Sequence, residues 1–193
     1  MRVGVLSLQG AFREHLGVLD SLGADSCKVT RPEHLENIDS IILPGGESSA
    51  MVRIAATTEL FPALGEKISA GLPVFGTCAG LILLADRLTD ASLDGFDRLG
   101  GLDVTVARNA YGRQRESFRA PVQVTGLDGA FDATFIRAPQ ILDLGTGVDV
   151  LSEYAEVPVL VRQGNIWGGS FHPELGTDLR IHEEFLHSLG ATV

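Results

Sequence analysis

The stretch Val74–Ala85, VFGTCAGLILLA, contains the turn on which the fold prediction depends. A short apolar run, Pro73–Phe75, leads into a turn with glycines two positions before and two positions after Cys78, and the helical run Leu81–Leu84 follows. Glycines at those positions permit a sharp strand-to-helix turn that lifts the central side chain into the open. The pattern therefore predicts a nucleophile elbow, with a buried packing cysteine as the alternative.

The segments on either side of this turn indicate an α/β fold. Unbroken apolar runs at Val3–Leu8, Ser26–Thr30 and Ser40–Leu43 alternate with helical patterns after Gly10 and over Thr58–Ala70. Strands buried on both faces have this pattern, and their alternation with helices favours a parallel sheet. We therefore predict one α/β domain over residues 1–193, with a central, mostly parallel sheet flanked by helices.

The second half of the chain is richer in strands. The segment Arg162–Asn165, RQGN, is typical of a hairpin turn, and an amphipathic helix is predicted after Thr177. Six further strands are predicted: Leu102–Ala107, Ser117–Val124, Ala133–Ile136, Val148–Ser152, Val157–Gln163 and Ile166–Phe171.

Composition and charge exclude several classes of function. The net charge of −10 argues against binding to nucleic acid or to an anionic membrane, since both need clustered cations. Two cysteines cannot form a disulfide framework, and neither has metal-ligand spacing. The longest apolar run, Leu72–Ala85, is too short to span a bilayer, and the first residues show no signal-peptide pattern. We expect a cytoplasmic protein with free thiols.

A histidine partner for the cysteine is expected at a strand end. His172 follows the strand Ile166–Phe171, and Pro173 favours an extended backbone before it, so Glu174 can point to the same side as His172. A carboxylate there would fix the imidazole tautomer and stabilise the imidazolium. Cys78, His172 and Glu174 are therefore predicted as a catalytic triad, whereas His-Pro-Glu alone is equally compatible with a capped strand end.

The remaining histidines fall in less informative positions. Three lie in helical patterns and one lies in a polar loop, and a surface or packing role is predicted for all four: His15, His34, His182 and His187.

A glycine turn follows the strand that begins at Ser40. In Ile42–Ala50, ILPGGESSA, Gly46 can turn a backbone N–H group inward as an oxyanion donor, alongside the N–H of Ala79 after the elbow. Glu47 and Ser48 are placed to contact a polar substrate. The alternative role is helix capping by Ser48 or Ser49, and the absence of a following Lys excludes a phosphate loop.

Six segments spread from Leu6 to Leu175 carry a resemblance to a known family. They are LSLQGAFREH, LPGGESS, FGTCAGLILLA, RNAYGRQRESF, FIRAP and SFHPEL, in that order. The chain resembles the class I (triad) glutamine amidotransferase family, and within it the glutaminase subunits of pyridoxal 5′-phosphate synthase. The resemblance implies a flavodoxin-like fold and hydrolysis of L-glutamine to L-glutamate and ammonia for pyridoxal 5′-phosphate (vitamin B6) biosynthesis.

The resemblance also implies a role for each matching residue. Cys78 would attack the amide carbon to form a thioester, His172 would act as base and then as acid, and Glu174 would orient the imidazole. Neither a metal nor a cofactor would be needed. Glutamine would be held by six residues: Gly46, Glu47, Ser48, Arg108, Ile136 and Arg137.

A partner protein is implied in the same way. Ammonia would pass to a separate (β/α)-barrel synthase subunit in a large hetero-oligomer, with the basic segment Arg108–Arg119 and the segment Gln9–His15 as docking surface. Three positions depart from the family pattern: Ser49, Arg119 and Gln140. They leave the partner contacts and the edge of the site open, but none belongs to the triad.

Three other functions compete with this one. A glutaminase of another synthase, such as imidazole glycerol phosphate synthase, would lack GGES and RNAYGRQ. A non-enzymatic scaffold would not need an intact Cys-His-Glu set. A redox-sensing cysteine would need only an exposed, reactive thiol and would form no thioester with glutamine.

Overall fold

The computed structural model describes residues 1–91, 93–95, 98–108 and 117–191. The twelve strands in these ranges are β1 Arg2–Leu6, β2 Asp25–Val29, β3 Ser40–Leu43, β4 Val74–Thr77, β5 Ala85–Leu88, β6 Leu102–Ala107, β7 Ser117–Gln123, β8 Ala130–Ile136, β9 Gln140–Leu144, β10 Asp149–Tyr154, β11 Val157–Gln163 and β12 Ile166–Gly169. The five α-helices there are α1 Phe12–Ser21, α2 Ser48–Ala55, α3 Leu60–Ser69, α4 Ala79–Leu84 and α5 Arg180–Ser188.

A seven-stranded sheet in the order β10-β11-β12-β4-β3-β1-β2 forms the centre of the fold. Its strands β12, β4, β3, β1 and β2 are parallel, whereas β11 and β10 are antiparallel additions at one edge. The remaining strands form a three-stranded sheet, β5-β6-β9, and a two-stranded sheet, β7-β8. The prediction of a mostly parallel central sheet with a strand-rich second half is confirmed.

Helices cover both faces of the central sheet, because the side chains of its middle strands are buried on both sides. Strands β3, β4 and β12 are buried along their whole length. Leu43 packs on one face with side chains of α2, α3 and α4, while Phe75 and Trp167 pack on the other with side chains of α1 and α5. Each large apolar side chain buried in this way contributes about 1.5–3 kcal/mol to folding.

Two strands were missed in the sequence prediction, β5 and β9. Both belong to the three-stranded sheet, where they flank β6. β5 continues directly from α4 at Ala85 with no glycine or proline between them, so no turn signal separates the two elements. Their pairing to β6 is a long-range interaction that local pattern does not reveal. The predicted hairpin is confirmed, since β11 and β12 pair antiparallel around a turn at Gly164, which has φ +59°.

Part of the predicted docking surface is outside the described residues. Within Arg108–Arg119, the structure describes Arg108 and residues 117–119, while residues 109–116 lie outside the described ranges. No helix of the described ranges is long and apolar enough to cross a membrane.

Candidate active site

Cys78 occupies a strained turn between β4 and α4. Its backbone has φ +49° and ψ −100°, a conformation that costs a non-glycine residue about 1–3 kcal/mol. Its N–H donates to the carbonyl oxygen of Gly169 at the end of β12 (2.8 Å), which fixes the turn against the neighbouring strand. A Cβ on Gly80 would overlap the carbonyl oxygen of Leu43, and one on Gly76 would lie 2.6 Å from the carbonyl carbon of Gly80. At both positions the neighbouring backbone comes too close for a side chain, so only glycine fits, as the elbow prediction assumed.

His172 and Glu174 lie beside Cys78, after the end of β12. The Nδ1 atom of His172 is 2.7 Å from Oε1 of Glu174, and both side chains are almost fully buried. The backbone N–H of His172 donates to the carbonyl oxygen of Thr134 in β8 (2.8 Å), so the segment is held by the neighbouring two-stranded sheet. The expected extended segment is in fact a short 3₁₀ turn over Pro173–Leu175, which still brings the imidazole and the carboxylate together.

The charge of His172 follows from its two partners. Burial by itself lowers the pKa of an imidazole, but interactions with Cys78 and Glu174 outweigh it and raise the pKa of His172 to about 10. His172 is thus a protonated imidazole at neutral pH, held between a sulfur atom and a carboxylate. Because Nδ1 faces Glu174, Nε2 is the nitrogen that remains for Cys78.

A cavity of about 230 Å³ opens over these side chains. It is smaller than the roughly 300–1,000 Å³ typical of pockets for drug-sized ligands, so it suits a small metabolite. Its lining residues are Gly46, Glu47, Ser48, Cys78, Ile82, Arg108, Ile136, Arg137 and His172.

The cavity lining brings together all six residues predicted to hold glutamine. They come from the ends of β3, β6 and β8, which meet the ends of β4 and β12 at one edge of the fold. Ile82 also lines the cavity and was not predicted. Its N–H bonds the Cys78 carbonyl (3.2 Å), so one helical turn brings it back to the same side, and an i, i+4 argument from Cys78 would have found it.

Opposite charges line one wall of the cavity. Nη2 of Arg108 is 3.2 Å from Oε1 of Glu47, and Ser49 Oγ donates to the same carboxylate oxygen (2.8 Å). Burial alone would raise the pKa of Glu47, but the Ser49 hydrogen bonds, with Arg108 and Arg137 nearby, bring that pKa below its usual value. A carboxylate and a guanidinium in one wall are complementary to the two charged groups of a free amino acid.

The predicted capping role of Ser48 or Ser49 is wrong, because Glu47 caps α2. The Glu47 side chain accepts from the Ser49 N–H (3.4 Å). The turn before it is held from outside by the segment after β1: Gln9 Oε1 accepts from the Glu47 N–H (2.8 Å), and the Ala11 N–H donates to the Gly45 carbonyl (3.0 Å). The Gly45–Glu47 turn is thereby joined to the predicted docking segment Gln9–His15.

The two predicted oxyanion donors, Gly46 and Ala79, belong to different elements. Gly46 lines the cavity, and Ala79 is the first residue of α4, where the geometry of a helix leaves the backbone N–H without an intrahelical acceptor. Ala79 itself is fully buried and is not part of the cavity lining. Their role as oxyanion donors stays a prediction.

Two histidines that sequence reasoning set aside lie directly behind the triad. The side chains of His15 on α1 and His182 on α5 are fully buried, so of the expected surface or packing roles only packing is compatible with them, whereas His187 is exposed. His15 Nδ1 is 2.8 Å from His182 Nε2, and His15 Nε2 is 3.5 Å from Oε2 of Glu174. The sequence carried no local signal for this contact, since α1 and α5 are far apart in the chain.

No three His, Cys, Asp or Glu side chains are grouped as metal ligands within the described part of the chain.

Comparison with known proteins identifies the family to which this site belongs. The profile of the SNO glutamine amidotransferase family matches residues 5–190. The chain belongs to the SNO glutamine amidotransferase family. Among its relatives, the pyridoxal 5′-phosphate synthase subunit PdxT of Thermosipho africanus is 48% identical over 187 residues, covering 97% of this chain and 98% of the relative. The PdxT of Thermotoga maritima is 49% identical, covering 96% and 98%.

Solved structures agree with this family assignment. A crystal structure of a glutamine amidotransferase superposes with a TM-score of 0.92 at 45% identity, covering 98% of this chain and 99% of that one. A putative GMP synthase component from Thermoplasma acidophilum shares the fold alone, with a TM-score of 0.72 at 17% identity and coverage of 98% and 94%. The predicted amidotransferase fold is confirmed.

Proposed function

We propose that this chain hydrolyses the side-chain amide of L-glutamine to L-glutamate and ammonia and delivers the ammonia to a pyridoxal 5′-phosphate synthase. One observation carries the proposal. A strained cysteine at the start of a helix and a histidine with a raised pKa both line a small cavity with charged walls, and a buried carboxylate lies 2.7 Å from that histidine on the side away from the cavity. Cysteine activated by histidine, with a third group orienting the base, is the arrangement of acyl-transfer enzymes.

The first half-reaction forms a thioester. The Cys78 thiolate attacks the amide carbon, and the carbonyl oxygen takes up the negative charge toward the N–H groups of Ala79 and Gly46. The carbon–nitrogen bond then breaks, and His172 Nε2 gives its proton to the departing nitrogen, which leaves as ammonia. Glu174 keeps Nδ1 protonated, so that the Nε2 proton is the one transferred.

The second half-reaction releases glutamate. The now neutral His172 takes a proton from water, and the resulting hydroxide attacks the thioester carbonyl. The carbon–sulfur bond then breaks to give the Cys78 thiolate and the γ-carboxylic acid of glutamate, which loses its proton to solvent. His172 ends the cycle protonated again, as it began. Because the same imidazole acts first as acid and then as base, one histidine is enough for both halves.

Substrate recognition uses the charged wall of the cavity. The guanidinium of Arg108 is suited to the α-carboxylate of glutamine and the Glu47 carboxylate to its ammonium group, while Ser48, Ile136 and Arg137 complete the enclosure. Arg108 and Glu47 pair with one another at 3.2 Å in this structure, and we propose that glutamine enters by separating this pair.

The ammonia acceptor is proposed from the relatives, which are subunits of pyridoxal 5′-phosphate synthase. By this proposal the partner is a (β/α)-barrel synthase subunit in a large hetero-oligomer, and the reaction takes place in the cytoplasm. The Gln9–His15 segment is a suitable docking surface because Gln9 and Ala11 hydrogen-bond the Gly45–Glu47 turn at the edge of the cavity. A partner that contacts this segment would act directly on the turn that carries an oxyanion donor.

The test is ammonia release from glutamine, measured with and without the cognate synthase subunit. Wild type is compared with Cys78→Ala, and Cys27→Ala serves as the matched control because Cys27 is the chain's other thiol, on β2. We expect stimulation by the synthase and complete loss in Cys78→Ala only. Ammonia release that the synthase subunit does not stimulate would mean that the chain serves another ammonia acceptor. If Cys78→Ala releases as much ammonia as wild type both with and without the synthase subunit, the enzyme proposal is overturned.

A further inference from the structure

The carboxylate of Glu174 has two oxygen atoms in different surroundings. Oε1 faces Nδ1 of His172 at 2.7 Å. Oε2 is completely buried and accepts no hydrogen bond from the described residues, and His15 Nε2 lies 3.5 Å from it. A buried carboxylate oxygen without a donor is costly, so the group closest to supplying one determines how well this carboxylate is held.

We infer that His15 and His182 form a relay of two neutral imidazoles that positions Glu174 and thereby the general base of the proposed glutaminase reaction. His15 Nε2 is 3.2 Å from Thr77 Oγ1 and 3.5 Å from Glu174 Oε2, so an N–H that bonds Thr77 also presents its positive end to the carboxylate oxygen. The catalytic part of this inference rests on the proposed function, whereas the contacts between His15, His182 and Glu174 are independent of it.

The direction of the relay follows from counting unpaired groups. If His15 carried its proton on Nδ1, that N–H would donate to His182 Nε2. The unprotonated Nε2 of His15 would then face a carboxylate oxygen with its lone pair. His182 would carry its own proton on Nδ1, where the N–H would be buried without an acceptor. If both rings carry the proton on Nε2, His182 donates to His15 Nδ1, and His15 donates to Thr77 Oγ1 with Glu174 Oε2 3.5 Å away. On the two rings, only the lone pair of His182 Nδ1 is then unpaired. The described residues leave His182 Nδ1 without a partner. The second arrangement has fewer unsatisfied groups, so we assign it.

The relay must stay neutral to serve this role. Burial lowers the pKa of His182 to about 3, and burial together with the nearby His182 and His172 lowers the pKa of His15 well below its usual value. The His182 ring is packed against Phe75, with ring centres 6.0 Å apart. A cationic His15 would compete with His172 for the one negative charge of Glu174, whereas a neutral His15 places only an N–H dipole beside the carboxylate and leaves its charge for the imidazolium of His172.

The relay also explains why α1 and α5 meet behind the site. His15 and Glu174 are placed by α1 and by the turn after β12, and α5 adds His182 from the same face of the sheet. The Gln9–His15 segment runs into α1, so it contacts the Gly45–Glu47 turn through Gln9 and Ala11 and approaches the carboxylate through His15. His15 is thus a positioning residue, which touches neither the cavity nor the substrate.

The experiment is a nitrogen-15 NMR titration of the five histidine side chains in the full-length chain. It compares wild type, His15→Met and His15→Gln, with the exposed His187→Met on α5 as control. Met fills the space without a donor, and Gln restores one N–H donor and one acceptor. We expect the Nε2–H form for His15 and His182 in wild type, a lower pKa of His172 in His15→Met, substantial recovery in His15→Gln, and no change in the control.

Ammonia release by the same variants in complex with the synthase subunit is the second measurement. We expect His15→Met to lower kcat about 10- to 100-fold with little change in KM, as for loss of a hydrogen bond to a charged group, and His15→Gln to recover most of it. The relay is overturned if His15 carries its proton on Nδ1, or if the pKa of His172 is the same in His15→Met as in wild type. An altered His172 titration in a chain that releases no ammonia would support the relay and overturn the proposed function, so the two failures are distinguishable.

Discussion

Histidine side chains lie on both sides of Glu174, and they differ in charge: the imidazole on the cavity side is protonated, and those on the buried side are neutral. On the cavity side, His172 is close to Cys78 and Glu174, and its pKa is raised to about 10. On the buried side, His182 has no charged neighbour among the described residues that offsets its burial, and its pKa is lowered to about 3. His15 lies between them and is neutral as well. His172 is 2.7 Å from one oxygen of this carboxylate, His15 is 3.5 Å from the other, and His182 is 2.8 Å from His15.

The difference shows that burial alone does not decide what a histidine does. His172 and His182 are both buried, but the cavity-side ring is paired with a carboxylate and a sulfur atom, whereas the other ring has an imidazole as its hydrogen-bond partner. The carboxylate and the sulfur atom therefore favour the protonated form of His172, whereas burial without a charged partner favours the neutral form of His182. Four predictions test this comparison.

The largest effect is expected from His172→Gln. The substitution removes the acid and base on the cavity side while keeping a polar side chain, so kcat for ammonia release should fall by about 10,000-fold with a small change in KM. His187→Gln, on the exposed side of α5, is the control and should keep full activity. Retention of more than about a tenth of the wild-type kcat by His172→Gln would show that the cavity-side histidine is not the general base.

A somewhat smaller loss, about 1,000-fold in kcat, is expected from Glu174→Gln. The amide has nearly the same shape but no charge, so the imidazolium of His172 loses its stabilising partner and its pKa should fall toward the usual value for histidine. Steady-state kinetics and histidine NMR measure the two effects, with the exposed Glu36→Gln as control. An unchanged His172 titration would contradict the view that Glu174 sets the charge of the cavity side.

The elbow that presents Cys78 to the cavity side can be tested through stability. Gly80→Ala should lower the free energy of unfolding by about 3 kcal/mol, because the new Cβ overlaps the Leu43 carbonyl oxygen. Gly65→Ala is the matched control: no heavy atom lies within 4 Å of its Cβ, and alanine should stabilise α3 by up to about 1 kcal/mol. Urea denaturation measures both, and equal effects of the two substitutions would refute the close-approach argument.

The smallest effect is a change in acid sensitivity in His182→Met. A histidine whose pKa is lowered by folding contributes stability above its unfolded pKa, about 6.5, and this stability is lost as pH falls toward the folded value of about 3. Between about pH 7.5 and pH 5 the wild type should therefore lose about 2 kcal/mol more than His182→Met. His187→Met should follow the wild type in urea denaturation at each pH. Parallel curves for wild type and His182→Met would mean that His182 is not held neutral by burial.

Local sequence patterns were sufficient for the elements that carry the three residues of the predicted triad. The G-x-C-x-G turn predicted the elbow at Cys78 because its glycines are required by close backbone approach, which leaves a clear trace in sequence. His172 and Glu174 are two residues apart, so their contact is local as well. The missed strands β5 and β9 lack turn signals and gain their stability from pairing with β6, which is a long-range term.

The sequence by itself determined the alternation of strands and helices, the cysteine turn and the six residues of the cavity wall, because each rests on local pattern or on motifs that the family shares. The contacts of the buried histidines near Glu174 were decided by the tertiary structure alone. His15 and His182 are separated by 167 positions along the chain, and they meet only because α1 and α5 cover the same face of the central sheet. The neutral state of these two histidines and the ion pair of Arg108 with Glu47 in the cavity wall depend on burial and on distances that no local pattern specifies.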